Sequence, residues 1–109
     1  MNQYTIYCTP EQTMKALELG APITATLNTF EPNLYEYLGA FFRIPTAERM
    51  IGWLEEQGFY FYIFKDYCWN GEVQYGNNWY YSIDDVNSRK EATLAAIDAA
   101  LDYLIKNKK

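Results

Sequence analysis

The sequence predicts an α+β fold whose second half runs helix, three antiparallel strands, helix. Three observations predict it. Phe59 to Phe64 is an unbroken run of aromatic and β-branched residues without a charge, the pattern of a strand with at least one buried face. Two turn signals follow, Asn70-Gly71 and Gly76-Asn77-Asn78, and divide the next residues into a meander. Helix-capping signals at Thr46 and Ser88 bracket it, each opening an apolar repeat of helical period. The expected architecture is an antiparallel sheet, with this three-stranded meander at its centre and the helices packed on one face.

Taken in order, Met1 to Cys8 alternates loosely and suits a short first strand. Thr9-Pro10-Glu11-Gln12 reads as a capping box, with Pro10 at the first helical position and Gln12 reaching back to the cap amide. Met14, Ala16, Leu17 and Leu19 form the apolar stripe of this helix, which Gly20 and Pro22 end. Ile23 to Leu27 alternates as a strand, and Asn28 to Asn33 is a loop around Pro32. Leu34 to Phe42 suits either an extended segment or a helical turn capped by Asn33 and ended by Gly39; we take it as a short helix.

Thr46 then caps a helix with Ala47, Met50, Ile51 and Leu54 on its buried face, Trp53 beside that stripe, and Gln57-Gly58 at its end. The central strand follows, reverses at Asn70-Gly71, returns through Glu72 to Tyr75, and reverses again into Trp79 to Ile83. Asp84 to Asn87 is a polar connection. Ser88-Arg89-Lys90-Glu91 is a second capping box, and Leu94, Ile97, Leu101 and Leu104 mark the face of the last helix. Ala96 and Ala100 flank that face and allow close approach to a sheet. Lys106 and the terminal lysines oppose the negative end of the helix dipole.

At 109 residues the chain suits one domain, spanning residues 1–109, around one modest core. No basic-then-apolar leader opens it, and no apolar run approaches the length of a membrane span, so a soluble, cytoplasmic protein without a membrane partner is expected. The formal charge of −5 understates the asymmetry: without Lys106, Lys108 and Lys109, six basic residues stand against fourteen acidic ones. Such a body repels phosphates, which disfavours nucleic acid as a partner.

The chain contains no histidine, which removes imidazole bases, the Ser-His-Asp and Cys-His arrangements and most zinc and iron sites. Cys8 and Cys68 lack metal or redox spacing and read as structural thiols. Asp84-Asp85 is the most conspicuous carboxylate pair, but neighbours on an extended chain point to opposite sides and cannot share a substrate as acid and base. None of the six glycines builds a phosphate loop. We expect neither a catalytic residue, nor a metal, nor a cofactor, and hence no enzyme.

The surplus lies in the tyrosines. If Phe59, Phe61 and Ile63 face the helices, alternation sends Tyr60 and Tyr62 to the other side of the sheet. Val73, Tyr75, Trp79, Tyr81 and Ile83 then point inward, while Tyr80 joins the outer tyrosines among Glu72, Gln74 and Ser82. Trp69, just ahead of the first turn, completes the candidate surface of Tyr60, Tyr62, Tyr80, Trp69, Glu72 and Gln74. Exposed tyrosines with a polar surround are the composition of a recognition face. The competing expectation is that the N-terminal strands and the Leu34–Phe42 segment fold over it.

Two resemblances bear on function. The helix–three strands–helix order, with Ser88-Arg89-Lys90-Glu91-Ala92-Thr93 leading to Ala95-Ala96, Ala99-Ala100-Leu101 and Leu104, resembles the closing part of double-stranded-RNA-binding domains. That family starts this helix with a Lys-Lys-x-Ala-Lys signature that contacts phosphates. Arg89 and Lys90 match its first two lysines, Thr93 stands in place of the last, and the family's loop histidine is missing. The resemblance implies a nucleic-acid surface at Arg89, Lys90 and Lys106. Most of the chain is similar to a group of small proteins of undefined activity from phages and mobile elements of gut Bacteroides-type bacteria. The phrases that carry this likeness are Thr9-Pro10-Glu11-Gln12 to Gly20-Ala21-Pro22, Ile44-Pro45-Thr46-Ala47-Glu48 to Trp53-Leu54-Glu55-Glu56, and Ser88 to Ala92. It implies a binding or inhibitory role toward a host protein.

The expectation is thus a non-enzymatic binding module with a protein partner, free to form homo-oligomers. A duplex-RNA module or a small-ligand domain is the alternative.

Overall fold

A computed structural model describes residues 5–108. Its elements run α1 (Pro10–Glu18), β1 (Ala25–Thr26), β2 (Leu34–Tyr37), β3 (Ala40–Arg43), α2 (Ala47–Glu56), β4 (Phe59–Asp66), β5 (Cys68–Tyr75), β6 (Trp79–Val86) and α3 (Arg89–Asn107). The protein is α+β, with two antiparallel three-stranded sheets ordered β1-β3-β2 and β4-β5-β6. The α-β-β-β-α order of the second half is the expected one.

The core lies between the β4–β6 sheet and the helices. α3 lies across all three strands of that sheet, α2 packs on β4 and α3, and α1 packs on α3. Phe59, Val73 and Ile83 from the sheet meet Met50 and Leu54 of α2 and Ala96, Ile97, Ala100 and Leu101 of α3. The alanines let the α3 backbone approach the strands. Phe59 is ringed by Tyr75, Trp79 and Tyr103, with centroids 4.9, 6.1 and 6.0 Å away, in tilted and edge-to-face geometry.

The three helix starts form as their residues dictate. Thr9 and Gln12 complete a reciprocal capping box, Thr46 Oγ1 accepts from Arg49 N, and Ser88 Oγ accepts from Glu91 N, the one half of the expected second box that forms. The buried face of α1 differs from the expected stripe. It carries Gln12, Thr13 and Ala16, while Met14 and Leu17 are only half-buried. The reason is its neighbour: α3 presents a backbone carbonyl at Leu94 and a carboxylate at Asp98, both of which accept from Gln12 Nε2. Lys15 adds an ion pair to Asp102 at 2.7 Å.

Leu34–Phe42 is a hairpin and no helix. Leu38 and Gly39 both have positive φ, 52° and 81°, the two-residue turn whose twist matches flanking strands. The aromatic, β-prone residues Tyr35, Tyr37, Phe41 and Phe42 outweigh the cap signal of Asn33. Of Ile23–Leu27 only Ala25 and Thr26 pair as a strand, against Phe42 and Phe41. The expected first strand falls partly on residues 1–4, outside the described residues. Within them it is one bridge, Tyr7 to Thr46.

The first turn of the meander is also elsewhere. The chain reverses at Tyr67, whose φ is 66°, and Asn70 and Gly71 lie inside β5 opposite Phe64 and Ile63. A reversal at Asn70-Gly71 would turn Glu72 and Gln74 toward the helices, burying a charge; reversal at Tyr67 turns Val73 and Tyr75 inward instead. Gly71 serves packing. A Cβ there would lie 3.1 Å from Ile63 Cδ1 and 3.7 Å from the Ala92 carbonyl oxygen. β6 also runs further than expected, through Asp84 and Asp85 to Val86. Both aspartates oppose the single residue Asn70 in a β-bulge. Asp85 adopts φ 59°, and its N–H donates to Asn70 Oδ1 at 3.1 Å.

Candidate functional site

Because helices cover one side of the β4–β6 sheet, alternation leaves the other side to the even-numbered residues of its strands, up to the bulge beyond which Val86 pairs with Trp69 on the core side. The ladder aligns them in rows. Tyr60 stands opposite Gln74, and Gln74 opposite Tyr80; the next row is Tyr62, Glu72 and Ser82. Tyr60, Tyr62 and Tyr80 are 63%, 52% and 53% exposed. Phe64 extends the β4 column, its ring stacked on Tyr62 with centroids 4.9 Å apart.

Among the described residues, β1, β2 and β3 make no contact with β4, β5 or β6. No described element covers the face, and the Leu34–Phe42 segment, built into the other sheet, does not fold over it. Trp69 is not part of it. Alternation along β5 sets its half-buried side chain on the side of Gly71 and Val73, paired with Lys65. Tyr81 points inward by alternation, as expected, yet stays 47% exposed because it lies on the edge strand where α3 covers it only partly.

The electrostatics of this face are one-sided. Its outer positions carry Asp66, Glu72 and Asp84, and Lys65, the one basic residue within β4–β6, alternates to the opposite side. Ser82 Oγ donates to Asp84, 3.0 Å from Oδ1 and 3.1 Å from Oδ2. Glu72 is half-buried and takes no part in the two ion pairs of the described residues, Lys15–Asp102 and Arg43–Glu31.

The basic residues named for nucleic acid are not gathered. Arg89 and Lys90 open α3 and Lys106 lies in its last turn, so about 25 Å of helix separates them at 1.5 Å per residue. Lys106 instead edges a groove between α3 and β6, about 610 Å³ in volume and lined by Trp79, Tyr81, Asp98 and Tyr103 among others. Its aromatic wall is continuous: Trp79 stacks on Tyr103 at 4.7 Å and on Tyr81 at 6.0 Å. The sequence offered no sign of this groove, because its rings look like core positions until the width of α3 is known. A second concavity, about 440 Å³, lies between α2 and the β1–β3 sheet beside Arg43, Arg49 and Trp53.

Among the described residues no cluster of three or more Cys, Asp or Glu side chains could hold a metal ion, and no helix is long and apolar enough to cross a membrane. Cys8 is buried, and burial, reinforced by the nearby Asp98 carboxylate, pushes its thiol up to about 12. Cys68 is exposed. Comparison with protein-family models, with curated proteins and with solved structures finds no match.

Proposed function

We propose that this protein is a non-enzymatic binding module that contacts a protein partner through the open face of its β4–β6 sheet. The observation that carries the reading is the exposed Tyr60–Gln74–Tyr80 row on the helix-free side, continued by Tyr62 and Phe64. Large amphipathic rings on a rigid sheet contribute contact area at small entropic cost, and such residues dominate binding energy at interfaces. The phage-like origin implied by the sequence resemblance makes a host bacterial protein the partner, met in the cytoplasm.

A duplex-RNA role finds less support, since Arg89 and Lys90 stand far from Lys106 along α3 and the body is acidic. The test pairs both readings. Immobilised wild-type protein and a Tyr60→Ser/Tyr80→Ser variant are exposed to lysate of a Bacteroides-type host, and captured proteins are compared by mass spectrometry. One defined protein retained by the wild type and lost by the variant supports the tyrosine face. Equal retention by both overturns it. A salt-dependent mobility shift of duplex RNA, abolished by Arg89→Glu/Lys90→Glu, would establish the nucleic-acid reading in its place.

A further inference from the structure

Glu72 occupies the middle of the open face. Tyr62 and Ser82 lie directly opposite it on the two neighbouring strands, and Gln74 and Asn70 flank it along its own. Tyr60, Phe64 and Tyr80 stand at three of its diagonals, within reach of its side chain, and Asp84 at the fourth. Four aromatic rings thus surround one carboxylate.

Ser82 and Asn70, the polar neighbours opposite and beside it, are already engaged. Ser82, although opposite Glu72, donates its hydroxyl to Asp84. Asn70 donates to the Cys68 carbonyl at 2.9 Å and accepts from Asp85 N–H. Among the described residues Glu72 has no ion-pair partner, and no basic side chain projects from the outer positions of β4–β6. A partner lying on the tyrosines necessarily removes water from this carboxylate. An apolar or acidic surface would leave it buried and unpaired, at a cost that cancels much of the aromatic contact.

The geometry points to Glu72 as the anchor for an arginine side chain of the partner. A guanidinium is planar, so it pairs with the carboxylate through two parallel N–H bonds while its faces and stem pack on the surrounding rings. Lysine offers a compact, strongly hydrated charge that matches neither the fork nor the stack. A second copy of this chain would set Glu72 and Asp84 against their own equivalents, which like-charge repulsion opposes. The overall charge of −5 favours the approach of a basic segment. This assignment rests on the tyrosine face being the contact surface and adds the chemistry of what lands on it.

The test uses capped hexaarginine, hexalysine and hexacitrulline as probes, titrated into the isotope-labelled full chain and followed by amide chemical shifts. Hexaarginine should shift the amides of β4–β6 around Glu72, with hexalysine at least fivefold weaker and hexacitrulline inactive. Glu72→Gln, which keeps shape and removes charge, should weaken hexaarginine at least tenfold, while the control Glu55→Gln/Glu56→Gln on α2 should not. Hexaarginine affinity unchanged in Glu72→Gln, equal affinity for hexalysine, or shifts confined to α2 would overturn the anchor. If the anchor fails while Tyr60→Ser/Tyr80→Ser still loses the captured protein, the face stands and only the arginine assignment falls. Concentration-dependent self-association through the same amides would overturn it in favour of a second copy.

Discussion

Gln12 Nε2 donates to the carbonyl oxygen of Leu94 at 2.8 Å, joining the first helix to the last across 82 residues of sequence. The same nitrogen lies 3.1 Å from Asp98 Oδ1, and Gln12 Oε1 accepts from Thr9 N–H at 3.0 Å. One buried amide therefore both caps α1 and docks it. Gln12→Ala removes both roles, and we expect a loss of about 1–3 kcal/mol in urea unfolding. Gln12→Glu should cost more, because a carboxylate cannot donate to Leu94 and is set against Asp98.

Asn70 holds the bulge of β6. Its side chain bridges the Cys68 carbonyl and the Asp85 amide, and it is buried. Asn70→Ala leaves the Cys68 carbonyl and the Asp85 N–H without these partners and should destabilise by about 1 kcal/mol. Hydrogen exchange should accelerate at Asp85 and Val86 before it does in the core.

Gly71 separates a turn role from a packing role. Its φ is not positive, so Gly71→Ala meets no backbone strain and only the movable tip of Ile63. Gly71→Val sends a branched side chain toward the Ala92 carbonyl and should cost about 1–3 kcal/mol by overpacking. A thermal denaturation series over Gly, Ala and Val at this position reads the difference.

The two cysteines should behave oppositely. In native buffer, a thiol reagent should modify one equivalent, Cys68, and reach Cys8 only after unfolding. Cys8 also sets an alkaline limit. Its folded thiol is raised from 9.0 to about 12 by burial, so below pH 9 both states are protonated and nothing is lost. Above pH 9 the unfolded chain releases the proton while the folded chain keeps it, so stability falls, by up to about 1.4 kcal/mol per pH unit. Cys8→Ala should start lower in melting temperature and lose less between pH 9 and 10.5.

Tyr60 and Tyr80 should be dispensable for folding. Both are more than half exposed, and Tyr60→Ser/Tyr80→Ser should change stability by less than about 1 kcal/mol. A larger loss would mean that the aromatic row serves the sheet itself.

Local chemistry alone determined much of this protein. Thr9, Thr46 and Ser88 start helices because their side chains accept the first free amides, whatever packs around them. The alternation of Phe59 to Ile63 sorts phenylalanine inward and tyrosine outward because a strand has two sides. Tertiary structure decided the rest. Asn70-Gly71 is a strong local turn signal, yet the register that buries Val73 beside Phe59 moves the reversal to Tyr67 and gives Gly71 to the approach of α3. In Leu34–Phe42 the β-prone aromatics prevail over the cap signal of Asn33, and pairing of Phe41 and Phe42 with Thr26 and Ala25 builds that hairpin into a sheet. Only the assembled sheet showed that Trp69 leaves the tyrosine face and that Glu72 stands at its centre. Caps and alternation act over a few residues and are readable there; register and docking depend on which distant surface wins the burial.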